Sequence, residues 1–247
     1  MRRLALNLAI AATFVLGFAN AGESAPGVKI NNDTFDFGKV IQNATATHAF
    51  WIKSTGTETL NITGVEPGCG CTQMPLTDSS VAVGDSTPLQ IIFSTKSFIG
   101  NVNKRPFIVT NAPQASAGMS IFAEILTDPE SALPVVLRPA RLDVSQFTVQ
   151  PRRRGTFEIV NKSSEPLRIA PVDTVYKSFT IELPSKIGGG ETVKGTIIVN
   201  KAAIEKSFRE SFTFEVVGSE SRDRYTLPIE RIYRIKDTST ANVTGGK

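Results

Sequence analysis

The feature that most constrains this chain is a repeat within it. Residues 50–65, FWIKSTGTETLNITGV, align without a gap on residues 157–172, FEIVNKSSEPLRIAPV, at an offset of 107. Phe50 falls on Phe157, Ile52 on Ile159, Leu60 on Leu167, Ile62 on Ile169 and Val65 on Val172, while Glu58 in the intervening turn falls on Glu165. The apolar members alternate with polar neighbours, the period of a strand that buries one face, and a turn signal separates the two runs. An inward face and a turn kept together predict a repeated fold unit. The same offset carries Ile91 onto Ile198 and brings Gly84 near Gly188, Gly189 and Gly190.

Other runs of strand length surround the repeat: residues 28–30, 35–38, 89–93, 106–110 and 119–125, each bounded by Gly, Pro, Asn or Asp. No long helical period interrupts them. Short strands without intervening helices predict an all-β chain of two tandem immunoglobulin-like antiparallel β-sandwich domains, and 247 residues suffice for two cores. The expected division is a first domain over residues 22–130, a second over 131–236 and a polar tail over 237–247, with Asp128-Pro129-Glu130 as the linker.

The N-terminus reads as a signal peptide. Arg2 and Arg3 precede a mostly apolar run from Leu4 to Phe18, and Ala19-Asn20-Ala21 offers small residues where a signal peptidase reads, so cleavage is expected after Ala21. The run falls short of the roughly 20 apolar residues that span a bilayer. The expected product is periplasmic or secreted and not an integral membrane protein. Its charge is uneven: residues 22–130 carry 6 basic and 10 acidic side chains, residues 131–247 carry 19 and 13. The second half is therefore the one expected to meet an anionic partner or surface. Nucleic acid is not expected, because no aromatic and basic residues interleave as a binding platform requires.

Both cysteines lie in Gly68-Cys69-Gly70-Cys71-Thr72. In an exported chain the default for such a pair is a local disulfide through a tight ring, which the intervening glycine permits. Thiol exchange is a second reading, although the redox motif known from sequence has two residues between its cysteines. Metal binding is a third: the two thiols and the single His48 fall short of a closed zinc site, whereas Cys69, Cys71 and Met74 form a weak soft-ligand set for copper(I). At the repeat offset Cys69 falls on Tyr176 and Cys71 on Ser178, so the thiols are an addition to a scaffold that stands without them. No other cofactor is expected. His48 should be an exposed or cross-strand residue at the start of a strand. Trp51 points away from Phe50 and Ile52, either packed or presented at a rim. Arg152, Arg153 and Arg154, with Arg138 and Arg141, are candidates to grip a carboxylate or phosphate.

The succession Asp36-Phe37-Gly38-Lys39-Val40, Phe50-Trp51-Ile52-Lys53-Ser54-Thr55-Gly56, Leu60-Asn61-Ile62, Cys69-Gly70-Cys71-Thr72, Gly84-Asp85, Phe93-Ser94-Thr95 and Val109-Thr110-Asn111-Ala112-Pro113 resembles the bacterial domain of unknown function family 1573 over about residues 28–126. The resemblance implies an exported immunoglobulin-like fold and implies no activity. No Gly-x-Ser-x-Gly turn or second histidine completes a catalytic constellation. The expected function is non-enzymatic: an exported binding or scaffold protein with an unidentified protein or cell-envelope partner. The alternatives are a periplasmic chaperone-like protein, which needs an exposed strand and a basic cleft between domains, and a thiol-redox or copper(I) protein acting through Cys69 and Cys71.

Overall fold

The computed structural model describes residues 24–172, 176–218 and 223–235. The expected signal segment and the polar tail lie outside these residues. The described chain is all-β. In its first half lie β1 (Val28–Asn31), β2 (Thr34–Ile41), β3 (Thr45–Ser54), β4 (Leu60–Glu66), β5 (Thr72–Gln73), β6 (Ser80–Val81), β7 (Ser86–Ser94), β8 (Gly100–Lys104), β9 (Phe107–Thr110), β10 (Ser116–Gly118) and β11 (Ser120–Leu126). In its second half lie β12 (Val135–Arg138), β13 (Leu142–Asp143), β14 (Arg154–Asn161), β15 (Leu167–Pro171), β16 (Phe179–Glu182), β17 (Lys186–Ile187), β18 (Thr192–Val199), β19 (Phe208–Val216) and β20 (Arg224–Arg231).

Strand alternation builds two immunoglobulin-like sandwiches. In β7 every second residue, Thr87, Leu89, Ile91 and Phe93, is buried, and in β3 Phe50, Ile52 and Ser54 face inward while Trp51 and Lys53 face out. The first core gathers Phe37, Phe50, Ile52, Leu60, Leu89, Ile91 and Phe93; the second gathers Phe157, Ile159, Phe179, Ile197, Phe212, Phe214 and Leu227. Each such side chain contributes roughly 1.5–3 kcal/mol on burial, against which chain entropy is set.

The first sandwich has a further sheet of its own, β10-β9-β4-β6, and its sheet β1-β3-β7-β5 shares one strand order with the sheet β12-β14-β18-β16 of the second. Their registers agree residue by residue. Val28 pairs with Ser54 as Val135 pairs with Asn161, and Thr72 pairs with Phe93 as Phe179 pairs with Val199. The offset of 107 therefore holds through β3, β4 and β5, and it becomes 106 at β6 and β7. Leu60 pairs with Val81 but Leu167 with Ile187, and Phe50 pairs with Leu89 but Phe157 with Gly195. The counterpart of Ile91 is Ile197, which is buried, rather than the expected Ile198; Ile187 of β17 follows Phe179 of β16 one residue sooner than Val81 of β6 follows Thr72 of β5. Gly84 then falls on Gly190, and both hold a positive φ. Val172 also departs from expectation, because it packs against the first core.

The two sandwiches are not joined by a loose linker. Asp128 caps a short 3-10 helix over Pro129–Ser131, and Leu126 packs against the second core. One further sheet runs β17-β15-β19-β20-β2-β11-β8 through both halves, so β2 of the first half lies between its own β11 and β20 of the second. Pairing here is parallel, as it is between β13 and β20, and the chain departs from the purely antiparallel expectation at these places. The backbones approach closely at Gly38, whose φ is +61° and where a Cβ would overlap the Arg224 carbonyl. Thr226 Oγ1 donates to the Phe37 carbonyl at 2.6 Å, and Lys39 pairs with Asp223 at 3.1 Å. Farther along the junction the Thr47 N–H donates to Ser211 Oγ at 2.8 Å and the Ser211 N–H donates to Thr47 Oγ1 at 2.9 Å, all buried.

Candidate functional site

Residues 69–72 form the turn that leads into β5. The Thr72 N–H donates to the Cys69 carbonyl at 3.3 Å, and the Cys71 carbonyl accepts from the Ser94 N–H at 2.8 Å, which ties the turn to β7. The two sulfurs face each other across Gly70 with Cα atoms 5.2 Å apart, a span a disulfide bridges. Thr72 Oγ1 lies 3.6 Å from Cys69 Sγ and 3.7 Å from Cys71 Sγ. Both cysteines are half-buried, Gly68 and Gly70 are exposed, and Met74 is buried in the first core. Among the described residues no three His, Cys, Asp or Glu side chains group as a metal site.

At the counterpart positions Tyr176 stacks on Phe179 with ring centroids 4.9 Å apart, and the Ser178 hydroxyl donates to Glu210. These residues bring the second sandwich to the edge of a cleft of about 440 Å³ at the junction. Its first-sandwich wall is the outer face of β3 and β7, with Ala49, Trp51 and Pro88, joined by Pro75 from beyond β5; its second-sandwich wall includes Tyr176, Lys177 and Glu210. Trp51 is 47% exposed and lies opposite Pro88 in register, so alternation along β3 delivers the one tryptophan to the cleft. Lys177 and Glu210 bring opposite charges. His48 is not at a strand start as expected. It sits within β3, half-buried and stacked on Phe35 with centroids 3.6 Å apart, and it also touches the cleft.

A second recess, also about 440 Å³, opens elsewhere along the junction and is polar. Lys96, Arg141 and Arg209 line it with Glu230, to which Arg209 Nε donates at 2.7 Å. Of the five arginines singled out in the sequence, only Arg141 lies here, and its Nη2 reaches the Gln42 carbonyl at 3.4 Å. Arg138 makes a two-pronged pair with Glu130 at 2.8–2.9 Å, whose hydrogen bonds hold that carboxyl below its usual range. Arg154 pairs with Glu182 at 2.8 Å. Arg152 and Arg153 are exposed beyond them, so the five do not converge on one anion. Glu210, Ser211 and Tyr176 carried no sequence signal as cleft residues. The outward placement of Trp51 was the readable sign.

Among the described residues no helix is long and apolar enough to cross a membrane. No curated protein matches the chain. Among solved structures, a protein of unknown function from Porphyromonas gingivalis W83 is similar over 83% of this chain and 98% of its own, at 10% identity and a TM-score of 0.36. The Escherichia coli chaperone DraB is similar over 83% of this chain and 97% of its own, at 10% identity and a TM-score of 0.32. The PapD-like domain 7 of human CEP192 is similar over 51% of this chain and 99% of its own, at 7% identity and a TM-score of 0.36. No enzymatic family is indicated. Residues 28–125, the stretch that carries the Cys-Gly-Cys turn, match the family model described as Protein of unknown function (DUF1573).

Proposed function

We propose that the chain is an exported, non-enzymatic binding protein whose apolar junction cleft takes an extended polypeptide segment. The observation that carries this reading is the cleft itself. Both sandwiches build it, buried hydrogen bonds between Thr47 and Ser211 hold its two walls together, and it leaves Trp51 half in solvent beside Pro75 and Pro88. A tryptophan flanked by prolines on the outer face of a sheet adds nothing to either core, and aromatic walls of this kind suit an extended chain. Oxidation of Cys69 and Cys71 belongs to the same proposal, because an exported chain meets an oxidising compartment. The chaperone-like reading has one supporting feature, the basic recess of Lys96, Arg141 and Arg209, although the apolar cleft holds an acid, Glu210, as well as its cation, Lys177.

Two measurements test this. The intact mass of the protein recovered from the exported compartment should correspond to a chain beginning at Gly22 and lighter than its reduced form by two hydrogens; an unprocessed chain or two free thiols would remove export or the disulfide from the proposal. Because Trp51 is the one tryptophan, its fluorescence reports the cleft directly. Titration with a fully reduced, alkylated, unfolded test protein should shift Trp51 emission to the blue and saturate, and Ala49→Arg, which places a charge on the cleft wall, should abolish the shift. Emission unchanged by the titrant, or the same shift in the variant, sinks the cleft reading.

A further inference from the structure

The far end of the second sandwich displays an apolar surface that neither core nor cleft uses. Beyond β13 and β20 the parallel ladder continues without named strands: the Gln146 N–H donates to the Ile232 carbonyl at 2.9 Å, the Arg234 N–H donates to the Gln146 carbonyl at 3.1 Å, and Gln146 pairs with Tyr233. The loop that follows wraps around the Gln146 side chain, whose amide donates to the Thr148 carbonyl at 3.1 Å and whose Oε1 accepts from the Arg152 N–H at 3.2 Å. Beneath it Arg231, only 1% exposed, donates to the carbonyls of Val144, Arg152 and Ile204 and to Gln146 Oε1, at 2.6–2.9 Å. All four acceptors are neutral. A buried guanidinium held this way fixes the loop backbone from inside.

The side chains on that fixed backbone point the other way. Phe147 is 57% exposed and Val149 78%, and Ile232 and Ile235 on the neighbouring segment are each 37% exposed. Arg152 and Arg153 follow the loop and Arg234 stands between the two isoleucines, all exposed, with the Asp143 carboxyl close enough to Arg152 to interact with its charge. Arg154 is excluded, since Glu182 already occupies it. Apolar side chains projecting from a held loop and bordered by guanidinium groups match the chemistry of an anionic lipid interface, where apolar groups enter the headgroup boundary and arginines meet phosphates. A protein partner would sooner be met by a recess, and Val149 projects rather than lines one. We propose that this end of the second sandwich docks reversibly on an anionic phospholipid surface, with Phe147 and Val149 entering the interface and Arg152, Arg153 and Arg234 on its phosphates.

The test uses the full exported chain and two vesicle preparations, phosphatidylcholine alone and phosphatidylcholine with phosphatidylglycerol. The chain should float with the anionic vesicles and stay in solution with the neutral ones, and added salt should weaken the binding. Phe147→Ser with Val149→Ser should lower partitioning at least about tenfold. Arg152→Gln with Arg153→Gln should lower it about fivefold per charge and narrow the anionic preference to what Arg234 sustains. All these positions are exposed, and circular dichroism confirms that each variant folds. Equal behaviour toward both vesicles, or unchanged partitioning in the serine variant, overturns the proposal. Retention on dextran sulfate without vesicle binding overturns it too and makes the arginines a site for a soluble polyanion.

Discussion

Ser54 and Asn161 occupy the same place in the two sandwiches, at the ends of β3 and β14, both fully buried. In each the backbone N–H donates to the residue after a positive-φ glycine, to the Asp85 carbonyl and the Glu191 carbonyl respectively. Their side chains differ in what they do. Asn161 Nδ2 donates to the carbonyls of Glu165 at 2.7 Å and Gly188 at 2.9 Å, and its Oδ1 accepts from the Ser163 N–H at 2.9 Å and the Ser163 hydroxyl at 2.7 Å. Ser54 Oγ finds no partner among the described residues. Removing a group that satisfies several buried partners leaves each of them unpaired, whereas removing a lone hydroxyl relieves a desolvation cost. Asn161→Ala should therefore lose about 2–4 kcal/mol of stability, while Ser54→Ala should change it by less than about 1 kcal/mol and toward greater stability. Urea unfolding of the two variants side by side checks this, and comparable losses at both positions would refute it.

The strands themselves were legible where alternation and a turn coincided. The pairs Phe50 and Phe157, Ile52 and Ile159, and Leu60 and Leu167 lie where the repeat put them, because an inward face cannot slip by one residue without exposing itself. The repeat misplaced Ile91 because a single missing residue between Phe179 and Ile187 leaves local alternation intact while shifting the register. It also hid a change in packing. Leu89 lies across from Phe50, but Gly195 lies across from Phe157, and a Cβ at Gly195 would overlap the Phe157 ring. The long strand β19 corresponds to β8 and β9 in the first half, which Arg105-Pro106 interrupts, since proline supplies no N–H to a ladder. The cleft was legible only on one side. Alternation put Trp51 outward, but Ser211 meets Thr47 across a sequence separation of 164, and no periodicity within either strand announces that meeting.

The whole molecule turns on the shared sheet. Had the two sandwiches been beads on a linker, each would unfold on its own; with β2 seated between β11 and β20, the ladder of one core continues into the other. The seat depends on Gly38, whose positive φ and missing Cβ let β2 lie against Arg224, with Thr226 and Lys39 fastening either side. Any side chain at Gly38 is both strained at that φ and in collision with backbone, which cannot swing aside as a side-chain tip does. The native chain should then unfold in urea as one transition, with Trp51 fluorescence reporting the first sandwich and far-ultraviolet circular dichroism reporting both. Gly38→Val should cost about 2–4 kcal/mol at the junction and split the curves, the Trp51 transition moving to lower urea than the remainder of the dichroism change. Separate transitions in the native chain would mean that the shared sheet does not couple the cores. Coincident curves in Gly38→Val, shifted together, would mean that coupling survives there through Thr47 and Ser211, whose buried reciprocal bonds would then be the stronger of the two fastenings.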